Sequence, residues 1–180
     1  MVRGEKGLNT FTENKEYYQI IETYLNSDAV KKLDSIKHHN TTRLEHCQKV
    51  SYNSYKIAKK LGFDYESCAV GGLLHDLYFN LVENEKTIKD KVKLFTYGHP
   101  SDALKNAEKS FNLNELEKEI ILTHMWPLSF FKVPKHKESV IVSLVDKGIS
   151  IKEFGLLWSY KASYKLGVYF IFISNLILYR

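Results

Sequence analysis

Apolar positions along this chain recur at spacings of three and four, which predicts a succession of helices. Over residues 16–25, Tyr17, Ile20, Ile21, Tyr24 and Leu25 fall on one side. Asn26-Ser27-Asp28 breaks that element, and Asp28 is placed to cap a short helix ending near Ile36. His38-His39-Asn40-Thr41-Thr42 is polar and turn-like. The clearest helix follows, over residues 43–61. There Arg43, His46, Cys47, Val50, Ser54, Ile57, Ala58 and Leu61 form one stripe, with Glu45, Gln48, Lys49, Tyr52, Lys56, Lys59 and Lys60 opposite. Thr41 or Thr42 suits its N-cap, Glu45 lies at the capping-box distance from Thr42, and Gly62 suits the left-handed stop.

Asp64 begins a second helix, read as running to about Phe79. From Ala69 to Leu77 it is small or apolar nearly all round, the pattern of a buried core element. Residues 80–93 are charged and weakly periodic, a loop or short helix. After Gly98-His99, Pro100 fits a first helical turn, with Ala103, Leu104, Ala107 and Phe111 on the apolar side. Asn114 caps the next helix, whose Glu115, Glu117 and Glu119 favour its positive end. Leu116, Ile120 and His124 share its inward register before Trp126-Pro127 stops it. Residues 139–145 are rich in β-branched side chains, and propensity alone would make them a strand. No partner strand is in sight, so they are read as a helix ending at Asp146-Lys147-Gly148, with a separate amphipathic helix over 151–165.

These elements predict an all-α protein, a single compact helical bundle. Its expected organisation is an N-terminal helical extension over 1–40, a central unit over 41–150, and C-terminal helices over 151–180 that pack on the domain or on a second copy in a homodimer. A length of 180 residues is ample for one core. The net charge of +5 comes from scattered lysines, so composition argues against a nucleic-acid surface. Cys47 and Cys68 give no disulfide framework and read as core thiols. The N-terminal residues lack the apolar core of a signal peptide, which makes the cytoplasm the expected compartment. Residues 166–179, opening on Leu166 and closing on Tyr179, are strongly apolar. As a helix they would reach roughly 21 Å, short of a bilayer core of about 30 Å. They are expected to cover protein surface, with an interfacial membrane helix as the alternative.

The chemistry begins at Gly71-Gly72-Leu73-Leu74-His75-Asp76, where a core segment ends in an adjacent imidazole and carboxylate. Burying that pair is costly unless both are partnered or bind a metal. His46, His99, His124 and Asp146 likewise stand in inward registers or at the ends of apolar runs, and the six together read as a metal site. Imidazole with carboxylate suits Fe or Mn best among divalent ions, with Ni, Co, Zn or Mg as alternatives. Arg43 and Lys147, close in sequence to His46 and Asp146, could neutralise a phosphate.

The blocks Arg43-Leu44-Glu45-His46, Leu73-Leu74-His75-Asp76, Gly98-His99-Pro100, Thr123-His124-Met125-Trp126-Pro127 and Leu144-Val145-Asp146-Lys147, in this order, resemble the HD superfamily of metal-dependent phosphohydrolases. The resemblance implies an all-α fold and one or two divalent metal ions. It implies a first metal on His46, His75, Asp76 and Asp146, with His99 and His124 serving a second and Asp76 bridging. It further implies hydrolysis of a small phosphorylated substrate, of nucleotide type, by a hydroxide that the metals hold and Asp76 orients. A subgroup with the same ligand order hydrolyses dinucleoside polyphosphates, and some members with two irons act as oxygenases. A nucleotide-sensing domain without turnover and a helical interaction protein are the non-enzymatic alternatives.

Overall fold

The computed structural model describes residues 13–38, 41–79, 98–129 and 132–155. Helix α1 spans Lys15–Leu25, and the single turn α2, Asp28–Lys31, runs into a 3₁₀ turn at Lys32–Ser35. Two short strands, β1 (Lys37–His38) and β2 (Thr41–Thr42), pair antiparallel where the sequence read as a turn. Then come α3 (Arg43–Leu61), α4 (Tyr65–Leu74), α5 (His99–Ser110), α6 (Glu115–Thr123) and α7 (residues 137–155). The protein is an all-α bundle, with α4 at its centre against α1, α3, α5 and α6.

Local chemistry sets the element ends. Thr42 Oγ1 accepts from the Glu45 N–H at 3.2 Å, Asp64 Oδ1 from Ser67 at 2.9 Å, and Asn114 with Glu117 closes a reciprocal capping box at 2.8 Å each way. Ser27, rather than Asp28, caps α2 by accepting from Val30. Gly62 takes the left-handed conformation, φ 74°, that stops α3. Along α3 Arg43, His46, Cys47, Val50, Ser54 and Ala58 are buried as expected, but Gln48, Ser51 and Tyr55 are buried too, and Ile57 and Leu61 are exposed.

Helix α4 is buried from Ser67 to Leu74. It crosses α3 so closely that a Cβ on Gly72 would lie 2.9 Å from Ser51 Cα. The Ser51 hydroxyl donates to Ala69 O at 2.6 Å and accepts from the Tyr17 hydroxyl at 2.9 Å, fastening α1, α3 and α4 together.

Three boundaries differ from the sequence reading. Helix α6, expected to carry His124 and to stop at Trp126-Pro127, ends at Thr123, and His124 follows it in a turn. Helix α4 ends at Leu74 and does not run on to Phe79, because the chain tightens into a turn in which Leu77 N–H donates to Leu74 O and Tyr78 N–H to Asp76 O. Helix α7 passes through Gly148 without a break to residue 155, so the expected separate helix after residue 150 is its continuation. The side chain that glycine lacks would meet nothing within 4 Å, so packing does not demand a glycine there. The expectations for residues 80–93, 156–165 and 166–179 fall outside the described residues. Among the described residues no helix is long and apolar enough to cross a membrane.

Gly72→Ala should cost about 1–3 kcal/mol, because the new methyl meets α3 backbone that cannot swing aside as a side chain can. Chemical denaturation would measure it, and an unchanged midpoint would mean that the helices are free to separate.

Candidate metal centre

The six expected ligands converge. His46, His75 and Asp146 bring three ligand atoms within 4.8 Å of one another, and Asp76, His99 and His124 do the same. All six are buried. Asp146 Oδ1 lies 3.1 Å from His46 Nε2 and 3.7 Å from His75 Nε2. Asp76 faces both groups: Oδ1 is 3.6 Å from the Nε2 atoms of His99 and His124, while Oδ2 is 3.9 Å from His75 Nε2. The rings form a row, His46 to His75 to His124 to His99, with centroids 5.5, 5.0 and 5.0 Å apart.

Two of the histidines are aimed by the same device. His75 follows the last residue of α4 and its Nδ1–H donates to Gly72 O, three residues back, at 2.8 Å. His124 follows the last residue of α6 and its Nδ1–H donates to Ile121 O, again three back, at 2.7 Å. A proton fixed on Nδ1 leaves the neutral ring's lone pair on Nε2, turned inward. Helix α3 supplies His46 from its first turns and α5 opens on His99.

One supporting residue escaped the sequence reading. Glu153 Oε2 accepts from His46 Nδ1–H at 3.0 Å, and Oε1 accepts from Lys49 Nζ at 2.7 Å. The signal was present as a spacing: Asp146, Ser150 and Glu153 are four and three residues apart, hence on one face of a continuous helix. Reading a break at Gly148 hid it. A carboxylate behind a ligating imidazole fixes the ring and raises its basicity.

Charge is unevenly shared. Burial pulls the His46 imidazole down, but Asp146 and Glu153 outweigh it and raise its pKa to about 9. Burial, then the charges of His99 and His75, holds His124 well below its ordinary value. Burial works to raise Asp76 and Asp146, yet the surrounding imidazoles keep both well below the usual carboxylate range, helped at Asp146 by Lys147. Burial also opposes ionisation of Glu153, and His46 and Lys49 bring it down to about 2.

These groups fit a divalent cation. His75 Nε2 is buried with no hydrogen-bond partner, although its lone pair points at Asp146 and Asp76. The Nε2 atoms of His99 and His124 face each other at 2.9 Å, beside Asp76 Oδ1. Two imidazoles and one carboxylate in each group suit a first-row transition ion.

The two expected phosphate binders are placed differently. Lys147 Nζ donates to Asp146 Oδ2 and to His124 O, both at 2.7 Å, and so joins the two ligand groups. Arg43 lies with its guanidinium carbon 3.9 Å over the Tyr78 ring and Nη1 donating to Tyr78 O at 2.5 Å. Arg43 does not line the cavity at the site; Tyr78 does. That cavity, of about 600 Å³, opens on His46, Asp76, His99, His124 and Asp146. Its walls include Tyr78, Met125, Leu128, Leu144, Ile151 and Phe154.

The family described as HD domain matches the chain over residues 43–148, a span that contains all six candidate ligands. The chain belongs to the HD-domain family. No curated protein and no solved structure matches it. HD domains are generally metal-dependent phosphohydrolases, and buried groups of imidazoles and carboxylates of this kind could hold such a metal.

Two outcomes are expected of the metal-free HD domain. Because His46 is held protonated below about 9, a divalent ion added at pH 7.5 should displace about one proton from it. Calorimetry in buffers of different ionisation enthalpy would read that release, and heats independent of buffer would contradict it. Glu153→Gln should weaken metal binding about 10–100-fold in chelator competition, whereas Lys49→Gln, which removes only the outer ion pair, should leave it within a few-fold. Equal losses would reduce Glu153 to a helix anchor.

Proposed function

We propose that this HD-domain protein hydrolyses a phosphate ester or anhydride of a small organic molecule at a pair of divalent metal ions. The observation that supports this most is the placement of Asp76, with one oxygen toward each ligand group. His46, His75 and Asp146 would hold one ion, and Asp76, His99 and His124 the other. Such ions supply a Lewis acid for the phosphoryl oxygens and lower the pKa of an attacking water.

The protein's own groups do the rest. Asp76 sits between the two ligand groups and orients the water toward phosphorus. As the water oxygen bonds to phosphorus, the bond to the leaving oxygen breaks, and one proton ends on the leaving oxygen. Lys147, between Asp146 and His124 at the cavity wall, places a positive charge where the phosphoryl group would sit. Arg43 acts through Tyr78, holding that residue's ring and carbonyl as part of the cavity wall. The nucleotide expected from the sequence enters the test as one class among several.

The protein reconstituted with Mn or Fe should release phosphate from members of a panel of sugar phosphates, simple esters, nucleoside monophosphates and dinucleoside polyphosphates. Asp76→Ala should lose both turnover and metal. Lys147→Met should retain metal and lose roughly 10–100-fold in kcat/KM, the range for one hydrogen bond to a charged group. Iron-dependent oxygen uptake without phosphate release would replace hydrolysis with an oxygenase reaction.

A further inference from the structure

The cavity has a polar floor and apolar walls. The floor is the ligand set. Leu128, Leu144, Ile151 and Phe154 line the walls while remaining exposed, and Tyr78 and Met125, which also line the cavity, are buried. Among the described residues, the ionisable or hydroxyl groups on the lining beyond the candidate ligands are those of Tyr78, Lys147 and Ser150. Lys147 is held at the floor by Asp146 Oδ2 and His124 O, and Ser150 Oγ donates to Asp146 Oδ1 at 3.3 Å. Both turn toward the floor.

A nucleoside brings a ribose with hydroxyls and a base with several donors and acceptors. Enclosing those groups against apolar side chains leaves them without partners, which is costly. An apolar group loses nothing there and gains from leaving water. A volume of about 600 Å³ far exceeds a phosphate and lies within the range of small-molecule sites.

Resting on the phosphohydrolase reading above, we propose that the substrate is a phosphate monoester of an apolar alcohol, aromatic or branched aliphatic. Its phosphate lies on the floor and its organic group lies against Leu128, Leu144, Ile151 and Phe154. Water replaces that alcohol at phosphorus, giving the free alcohol and inorganic phosphate.

The test uses the full chain loaded with Mn. Binding of 1-naphthylmethylphosphonate, which cannot be hydrolysed at its P–C bond, is compared with binding of AMP by calorimetry. Turnover of 1-naphthyl phosphate is compared with that of methyl phosphate and AMP. The phosphonate should bind at least about tenfold more tightly than AMP, and 1-naphthyl phosphate should exceed both other esters in kcat/KM by a similar factor, carried mainly by KM. Leu144→Asn and Ile151→Asn, both at exposed positions and safe for folding, should each lower the naphthyl-to-methyl ratio of kcat/KM. Tighter binding or faster turnover of AMP overturns the proposal, as does binding of neither probe. Naphthyl phosphonate binding that weakens in the two variants, without turnover of any ester, upholds the apolar site and defeats the phosphohydrolase reading instead.

Discussion

Lone pairs and carboxylates face one another at the centre of this bundle with too few protons between them. His75 and His124 each have a proton tied to a backbone carbonyl three residues back, so their inner nitrogens can only accept. Asp76 and Asp146 remain ionised despite burial. Acceptors that face acceptors in this way are stabilised by a cation among them, and the ends of several helices bring them together. Helices α4 and α6 both end one residue before a histidine, α5 opens on one, and the tight crossing at Gly72 sets where α4 lies against α3.

Glu153 and Lys49 extend that electrostatic balance outward. The carboxylate accepts a hydrogen bond from the outer N–H of His46, and the ammonium offsets the carboxylate's charge. Lys147 does the same for Asp146 from the cavity side. The centre is therefore buffered by cations on two flanks while its middle is left to a metal. Breaking the buried contact between His46 and Glu153 leaves a buried charge uncompensated, which is why it matters more than a surface pair of similar length.

Much of this was legible in the residue pattern. The stripe on α3 put His46 inward among apolar neighbours, and the core run ending in His75-Asp76 marked the centre. The caps at Thr42, Asp64 and Asn114 follow from side chains that compete for backbone N–H groups, a purely local effect. What escaped depends on tertiary context. Periodicity cannot tell a buried helix from a buried turn, so α4 was extended beyond Leu74. A glycine lowers helix propensity, and only packing decides whether the helix continues, so the reach of α7 to Glu153 was hidden. The direction of Arg43 is set by Tyr78, far off in sequence and joined to it by an aromatic face and a carbonyl.

The unbroken course of α7 has a thermodynamic consequence. Asp146 and Glu153 occupy one face of it, while Leu144, Ile151 and Phe154 stand on the neighbouring flank along the cavity wall. An ion drawing on the first face and a molecule pressing on the flank act on the same rigid rod. Any small roll or slide of that rod changes both affinities together. Whatever factor a bound molecule contributes to the hold on the ion, the ion must return to the hold on that molecule. The reach of the helix past Gly148 would thus make a bound metal and a bound substrate reciprocal effectors of one another.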